Sequence, residues 1–150
     1  MLQVGDKLPE FSSLNQDGET INSKDFLGKK LIIFFYPKAN TPGCTAEACN
    51  LSDNFSKLKQ EGYQLLGVSS DSVKRQKAFH QKFSFKYDLL ADENREIIEQ
   101  FGGWQLKKFM GKEFMGIVRT TFIFDEQGIC TRVIEKVKTK EAAEQILETK

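Results

Sequence analysis

Five consecutive apolar residues, Leu31-Ile32-Ile33-Phe34-Phe35, leave no position for a solvated face. A run of that length without alternation predicts a strand covered on both sides, as in the middle of an α/β sheet. Directly after it comes Tyr36-Pro37-Lys38-Ala39-Asn40-Thr41-Pro42-Gly43-Cys44, a turn holding two prolines and a glycine. Beyond Cys44, apolar residues recur at Ala48, Leu51, Phe55 and Leu58. That spacing predicts a helix over 45–60, stopped by Gly62. The unit is therefore strand, turn and helix, with a cysteine where the helix opens. Strand C-termini and the helix N-termini that follow them are where α/β folds place their chemistry.

The rest of the chain supplies partners for that strand. Residues 8–14 and 19–21 flank the turn signal Gln16-Asp17-Gly18 and predict a hairpin. Residues 23–26 predict a helical turn ended at Gly28. A second strand is expected over 63–68, and Ser69-Ser70-Asp71-Ser72 offers several caps for a helix over 73–83. A short strand at 89–91 precedes a helix capped by Asp92 or Asn94 and ended by Gly102-Gly103. Residues 102–118, rich in glycine, lysine and aromatics, read as an irregular loop. Strands over 120–125 and 129–137 then flank Glu126-Gln127-Gly128, and Thr139 caps an amphipathic helix through Leu147. The order β-β-β-α-β-α-β-α-β-β-α predicts one α/β domain over 1–150, a mixed central sheet with helices on both faces.

A domain of 150 residues buries roughly two-thirds of its unfolded surface, so it needs neither disulfide nor metal to fold. The 22 basic side chains nearly balance the 21 acidic ones, which argues against nucleic acid or an acidic membrane as partner. No apolar run approaches the ~20 residues of a membrane span, and the N-terminus lacks the apolar stretch of a secretory signal. A cytoplasmic location is the expectation. Thiols are kept reduced there, so the three cysteines read as reactive or merely buried rather than bridged.

At about 100° per residue, Cys44 projects into the same roughly 80° arc as Ala48, Leu51, Phe55 and Leu58, while Cys49 lies about 140° away. Most free cysteines are small buried hydrophobes. One at a Pro-Gly turn opening a helix meets unpaired N–H groups and the positive end of the dipole, which favour the thiolate. A low pKa alone accomplishes little. Dropping it from about 8.5 to about 6 raises the thiolate fraction at pH 7 roughly 30-fold. Nucleophilicity falls with pKa and takes back about tenfold of that. A competent site must also hold the electrophile in line and stabilise charge on the departing atom. The Thr41 hydroxyl, the N–H groups of Gly43 and Cys44, and a cation from elsewhere are the candidates.

The motif Pro37-x-x-x-Thr41-x-x-Cys44 resembles the peroxidatic-cysteine motif of the peroxiredoxins. The fuller stretch from Phe35 to Cys49 resembles the bacterioferritin-comigratory, or peroxiredoxin Q, subfamily. The likeness continues through Gly67-Val68-Ser69-Ser70-Asp71, Leu90-Ala91-Asp92-Glu93, Phe109-Met110-Gly111-Lys112 and Gly116-Ile117-Val118-Arg119-Thr120-Thr121-Phe122. Two places depart from it: Ser52 stands where arginine is common, and Gly103-Trp104-Gln105 differs in detail, both read as altered surface contacts. The resemblance implies a thioredoxin fold with an N-terminal hairpin and an antioxidant thiol peroxidase without a cofactor. In that reading Cys44 attacks a peroxide O–O bond and becomes a sulfenic acid. Thr41 and Arg119 hold the peroxide and stabilise the departing oxygen, with Gly43 lending its amide. Pro37 and Pro42 shape the pocket. Cys49 resolves the sulfenic acid into a disulfide, and a thioredoxin-like dithiol returns the protein to its reduced state. The subfamily implies a monomer.

An intact helix separates the Cα atoms of residues five apart by roughly 8–9 Å, whereas a disulfide needs about 4.4–6.8 Å. The first turns after Cys44 are thus expected to unwind in each cycle. Two rival functions share this scaffold, a general thiol–disulfide oxidoreductase and a non-catalytic redox-sensing or chaperone-like binder. The four-residue spacing and the Thr41–Arg119 pair argue against the first. A zinc site from Cys44, Cys49 and His80 lacks a fourth ligand and helical metal-pair spacing. His80 reads as a solvated surface residue, Cys130 as a buried bystander, and the basic-aromatic run 104–114 as a loop near the site or a protein contact.

Overall fold

The computed structural model describes residues 1–148. In chain order the elements are β1 (Ser12–Leu14), β2 (Thr20–Asn22), a 3-10 turn (Ser23–Phe26), β3 (Lys30–Phe35), α1 (Pro42–Asp53), α2 (Phe55–Gln60), β4 (Tyr63–Ser69) and α3 (Val73–Phe83). There follow β5 (Asp88–Ala91), α4 (Glu96–Gln100), β6 (Trp104–Phe109), β7 (Lys112–Ile117), β8 (Thr120–Phe124), β9 (Cys130–Ile134) and, after a 3-10 turn at Thr139–Glu141, α5 (Ala142–Glu148). The main sheet runs β5-β4-β3-β8-β9. β3 is its centre, parallel to β4 and antiparallel to β8. This is the mixed, thioredoxin-type α/β arrangement that the sequence implies.

The apolar run of β3 is explained by two cores. Ile32 and Phe34 face one built from Ala48, Leu51, Leu58, Phe79, Ala143 and Ile146, that is, from α1, α2, α3 and α5. Leu31, Ile33 and Phe35 face the other, built from Ile97, Ile98 and Phe101 of α4 and its C-cap, with Ile117 and Phe122. Successive side chains point to opposite sides of a strand, so a strand between two cores can spare no polar position. The close stacking also demands Gly67 on β4. A Cβ there would stand 2.8 Å from both Leu89 Cδ2 and Phe34 Cζ.

Several boundaries shift. Only Ser12–Leu14 of the first expected strand pairs in the hairpin. The segment before it lies along residues 128–130 instead, with Leu8 N–H donating to the Gly128 carbonyl. The helix expected over 45–60 breaks at Asn54, whose φ of −103° and ψ of 11° are not helical and whose side-chain amide donates to the Asn50 carbonyl. The next helix begins at Glu96 rather than Asp92 or Asn94; Arg95 caps it in the left-handed region, and Asp92 instead accepts the Ile98 N–H at 2.8 Å. The strand expected over 129–137 ends at Ile134. Ser52 is buried rather than superficial, its hydroxyl accepting the Lys86 N–H.

The largest correction concerns residues 102–118. They form a regular antiparallel ribbon, β6 on β7, with Trp104 opposite Ile117 at its base. Met110 and Gly111 make the turn with φ of 52° and 78°, the positive values that a two-residue turn of right-handed twist needs. Arg95 lies over the Trp104 ring at 4.3 Å and anchors the base. Farther out, Leu106, Phe109, Met110, Phe114 and Met115 are exposed.

Candidate active site

Topology brings residues 75 apart in sequence together. β8 runs antiparallel to β3 with Thr120 opposite Phe35, so Arg119 falls just beyond the strand end from which the Tyr36–Cys44 turn departs. Cys44 is the third residue of α1, after Pro42 and Gly43. The first intrahelical bond runs from Thr45 N–H to the Thr41 carbonyl at 2.8 Å. The Gly43 and Cys44 amides thus precede the ladder and point out of the helix end.

Arg119 donates from Nη2 to Cys44 Sγ at 3.3 Å and from Nη1 to Glu47 Oε1 at 2.7 Å. One guanidinium thus bridges the sulfur and a carboxylate one turn along the same helix. Gly43 makes room for it, since a Cβ there would lie 3.3 Å from Nη2. Cys44 is 1% exposed and the Arg119 side chain 23%. The sulfur is buried at the edge of the core that holds Ala48 and Leu51, and the partly exposed arginine is the polar side chain bonded to it.

Glu47 carries no solvent exposure, and its Oε2 has no hydrogen-bond partner. Burial pushes its carboxyl up to about 7, although the attraction of Arg119 works against that rise. Burial tends to discharge Arg119, but its attraction to and hydrogen bonds with Cys44 and Glu47 more than offset this and raise its affinity for the proton. Lys107 reaches in from β6 and donates from Nζ to the Ile117 carbonyl at 2.7 Å. Desolvation and the repulsion of Arg119 push its ammonium down, and Cys44 partly opposes them.

The turn is held from behind by a buried polar network. Gln76 on α3 accepts the Tyr36 hydroxyl at 2.6 Å and donates to Ser69 Oγ at 3.0 Å and the Leu90 carbonyl at 2.8 Å. Ser69 donates to Asp71 at 2.6 Å, and the same Asp71 oxygen accepts the Ala39 N–H at 2.7 Å. These bonds tie the ends of β3, β4 and β5 to α3 and fix the backbone between Pro37 and Thr41. Asn40, in the left-handed region with φ of 61°, completes the reversal.

The expected residues do not all meet. Thr41 is the N-cap of α1, yet its hydroxyl donates to the Lys38 carbonyl at 2.9 Å and accepts no helix N–H. Its proton is committed, and only lone pairs remain for a ligand. Pro37 is half-buried at the start of the turn. Cys49 is half-buried in the second half of α1, its thiol pushed up by burial and by Asp53. Cys44, Cys49 and Cys130 are all free thiols. Cys130 is buried in β9 with Sγ on the Arg132 carbonyl. His80 corrects its expectation. It is half-buried and hydrogen-bonded to the Tyr87 carbonyl at 3.0 Å, joining α3 to the approach of β5. Glu47 and Lys107 were missed. The signal for Glu47 was present: a lone carboxylate beside the apolar arc, three residues after Cys44.

Comparison with known proteins gives the family. The AhpC/TSA family model matches residues 4–133. Peroxiredoxin Bcp of Escherichia coli (strain K12) is 44% identical over 138 residues, covering 92% of this chain and 88% of that one. Peroxiredoxin Bcp of Bacillus subtilis (strain 168) is 37% identical over 148 residues, covering 99% and 94%. A solved structure of the Xanthomonas campestris bacterioferritin comigratory protein superposes with a TM-score of 0.87 at 29% identity, covering 95% of this chain and 96% of that one. With a free cysteine at a helix mouth, an arginine on its sulfur and relatives matching nearly end to end, the chain belongs to the AhpC/TSA family, as a thiol peroxidase of the Bcp type.

Proposed function

We infer that Cys44 reduces hydrogen peroxide and organic hydroperoxides, that Cys49 resolves the product, and that a thioredoxin-like dithiol closes the cycle. The observation that carries this reading is the Arg119 guanidinium 3.3 Å from Cys44 Sγ at the opening of α1. The Xanthomonas campestris neighbour is described through its alkyl peroxide reduction activity, which supports organic hydroperoxides as substrates here.

The Cys44 thiolate attacks one oxygen of ROOH. The S–O bond forms as the O–O bond breaks, the sulfur is oxidised to a sulfenic acid, and the alkoxide takes a proton and leaves as ROH. Charge develops on the departing oxygen, and Arg119 is the fixed cation beside it. Thr41, with its own proton on the Lys38 carbonyl, accepts the peroxide O–H and orients it. The Gly43 amide lies at the helix mouth, and Pro37 borders the turn. Cys49 then attacks the Cys44 sulfenic acid, forming the S–S bond and releasing the oxygen as water. The dithiol reductant returns both sulfurs to thiols and leaves as its own disulfide.

Rapid mixing of reduced protein with one equivalent of peroxide, followed by mass spectrometry, tests the assignment. Wild type should join Cys44 to Cys49. Cys44→Ser should not react at second order. Cys49→Ser should stop at the sulfenic acid and fail to recycle. Turnover retained by Cys49→Ser would move the resolving role elsewhere, with Cys130 the first candidate to examine.

A further inference from the structure

The residue next to the proposed resolving cysteine is tied to the far end of the chain. Asn50 donates from Nδ2 to the Lys140 carbonyl at 2.9 Å and to Glu144 Oε1 at 3.3 Å, and its Oδ1 accepts the Ala143 N–H at 2.8 Å. Its carbonyl also accepts the Asn54 side-chain amide at 2.8 Å. Ala143 is the second residue of α5, and its amide is one of the donors a helix start leaves without an intrahelical partner. Asn50 therefore caps α5 from across the molecule. An asparagine has one carbonyl and two N–H donors, and here both ends are engaged by the same short segment.

Cys49 sits beside this clamp, and its helix is pinned elsewhere as well, at Glu47 by Arg119 and at two points by the segment before β5. Tyr87 donates to the Ala48 carbonyl at 2.7 Å, and Lys86 N–H to Ser52 Oγ at 3.3 Å. The thiol cannot reach Cys44 while the helix is wound, since residues five apart stay about 8–9 Å distant at Cα. Moving Cys49 toward Cys44 turns the adjacent Asn50 and draws its amide off α5. The ties at Ala48 and Asn50 flank the sulfur that must travel, and of these two only the one at Asn50 is made by the helix's own side chain, engaged at both ends.

We propose that Asn50 is the positioning residue of the resolving step: its clamp on the start of α5 holds Cys49 away from Cys44 and sets how fast the disulfide forms. The inference rests on Cys49 being the resolving thiol. Loosening the clamp favours the unwound helix. Formation of the Cys44–Cys49 bond accelerates, while attack of Cys44 on peroxide, which uses the wound helix, is untouched. A slow resolving step leaves the sulfenic acid exposed to a second peroxide, which oxidises it to a sulfinic acid and is itself reduced to ROH. Wild type should therefore over-oxidise more readily than a clamp-free variant.

The test follows both steps in single turnover, by the fluorescence of the one tryptophan, Trp104, and by acid-quenched mass spectrometry. Asn50→Ala should form the disulfide about tenfold faster than wild type, the scale of one or two lost net hydrogen bonds. Its second-order peroxide reaction should stay within twofold, and it should need more peroxide to reach the sulfinic acid. Glu144→Ala removes only the longest contact and should accelerate resolution less than Asn50→Ala. Circular dichroism of the reduced variants checks that the wound state persists, and the ratio of the two rates separates a clamp from general loosening. Should Asn50→Ala resolve at the wild-type rate while wild type forms the Cys44–Cys49 bond, the clamp is refuted and the peroxidase reading stands. If wild type joins other sulfurs or none, the assignment of Cys49 falls and takes the clamp with it. A variant slowed equally in both steps would also overturn the proposal.

Discussion

Replacing Glu47 by glutamine should flatten the pH dependence of stability. The carboxyl ionises at about 7 in the folded protein against an ordinary 4.5, because desolvation outweighs its bond to Arg119. A carboxyl whose folded value is raised binds more protons folded than unfolded between those two values. Its contribution to stability is therefore whole below pH 4.5 and drains as pH climbs toward 7. Integrating the two titrations gives a loss of about 2.5 kcal/mol between pH 5 and pH 8, nearly all of it below pH 7. Glutamine cannot ionise and should show none of it. Urea unfolding of Cys44→Ser and of Cys44→Ser/Glu47→Gln at pH 5, 6, 7 and 8 measures the difference with thiol titration removed. The gap should move in favour of the glutamine protein by about 2.5 kcal/mol from pH 5 to pH 8. Parallel curves would mean that Glu47 is already ionised at pH 5 and that the ion pair defeats burial. A gap moving the other way would refute the reasoning outright.

Two further outcomes follow from the same geometry. Arg119→Met should slow the second-order reaction of Cys44 with peroxide by about 10²–10³, the scale of losing one preorganised donor, with the near-native circular dichroism spectrum retained. A loss under fivefold would remove Arg119 from the chemistry. Gly67→Ala should destabilise the fold by about 1–3 kcal/mol in urea unfolding through overpacking, because its methyl would lie 2.8 Å from Leu89 Cδ2 and Phe34 Cζ; an unchanged midpoint would show that β4 shifts freely.

Legibility in the sequence tracked the locality of the cause. β3 was plain because every residue after Lys30 is apolar, and α3 was bounded correctly at Val73–Phe83 because Ser72 caps it with its own side chain, accepting the Arg75 N–H. The break at Asn54 was hidden, since Phe55 and Leu58 keep the apolar spacing across it. The β6–β7 ribbon escaped because its exposed outer half mixes lysine with aromatics and its turn puts Met110, not asparagine or glycine, in the left-handed region. Within the site, the Pro37–Cys44 motif was readable, as was Arg119 once the family likeness was in view. The bridge from Arg119 to Glu47 was not, because it depends on the register of β8 against β3. Nor was the partner of the Thr41 hydroxyl, which is set by the path of the backbone at Lys38.

The division of β3 between two cores bears on how the proposed opening of α1 would spare the rest of the protein. Ala48 and Leu51 lie with Ile32 and Phe34, whereas Ile117, two residues before Arg119, is rooted with Ile33 and Phe35 on the opposite side of the sheet. The sheet acts as a bulkhead. Were α1 to loosen as the proposed resolving step requires, one compartment would flood and the other stay dry, and the strand ends that carry the arginine would keep their places.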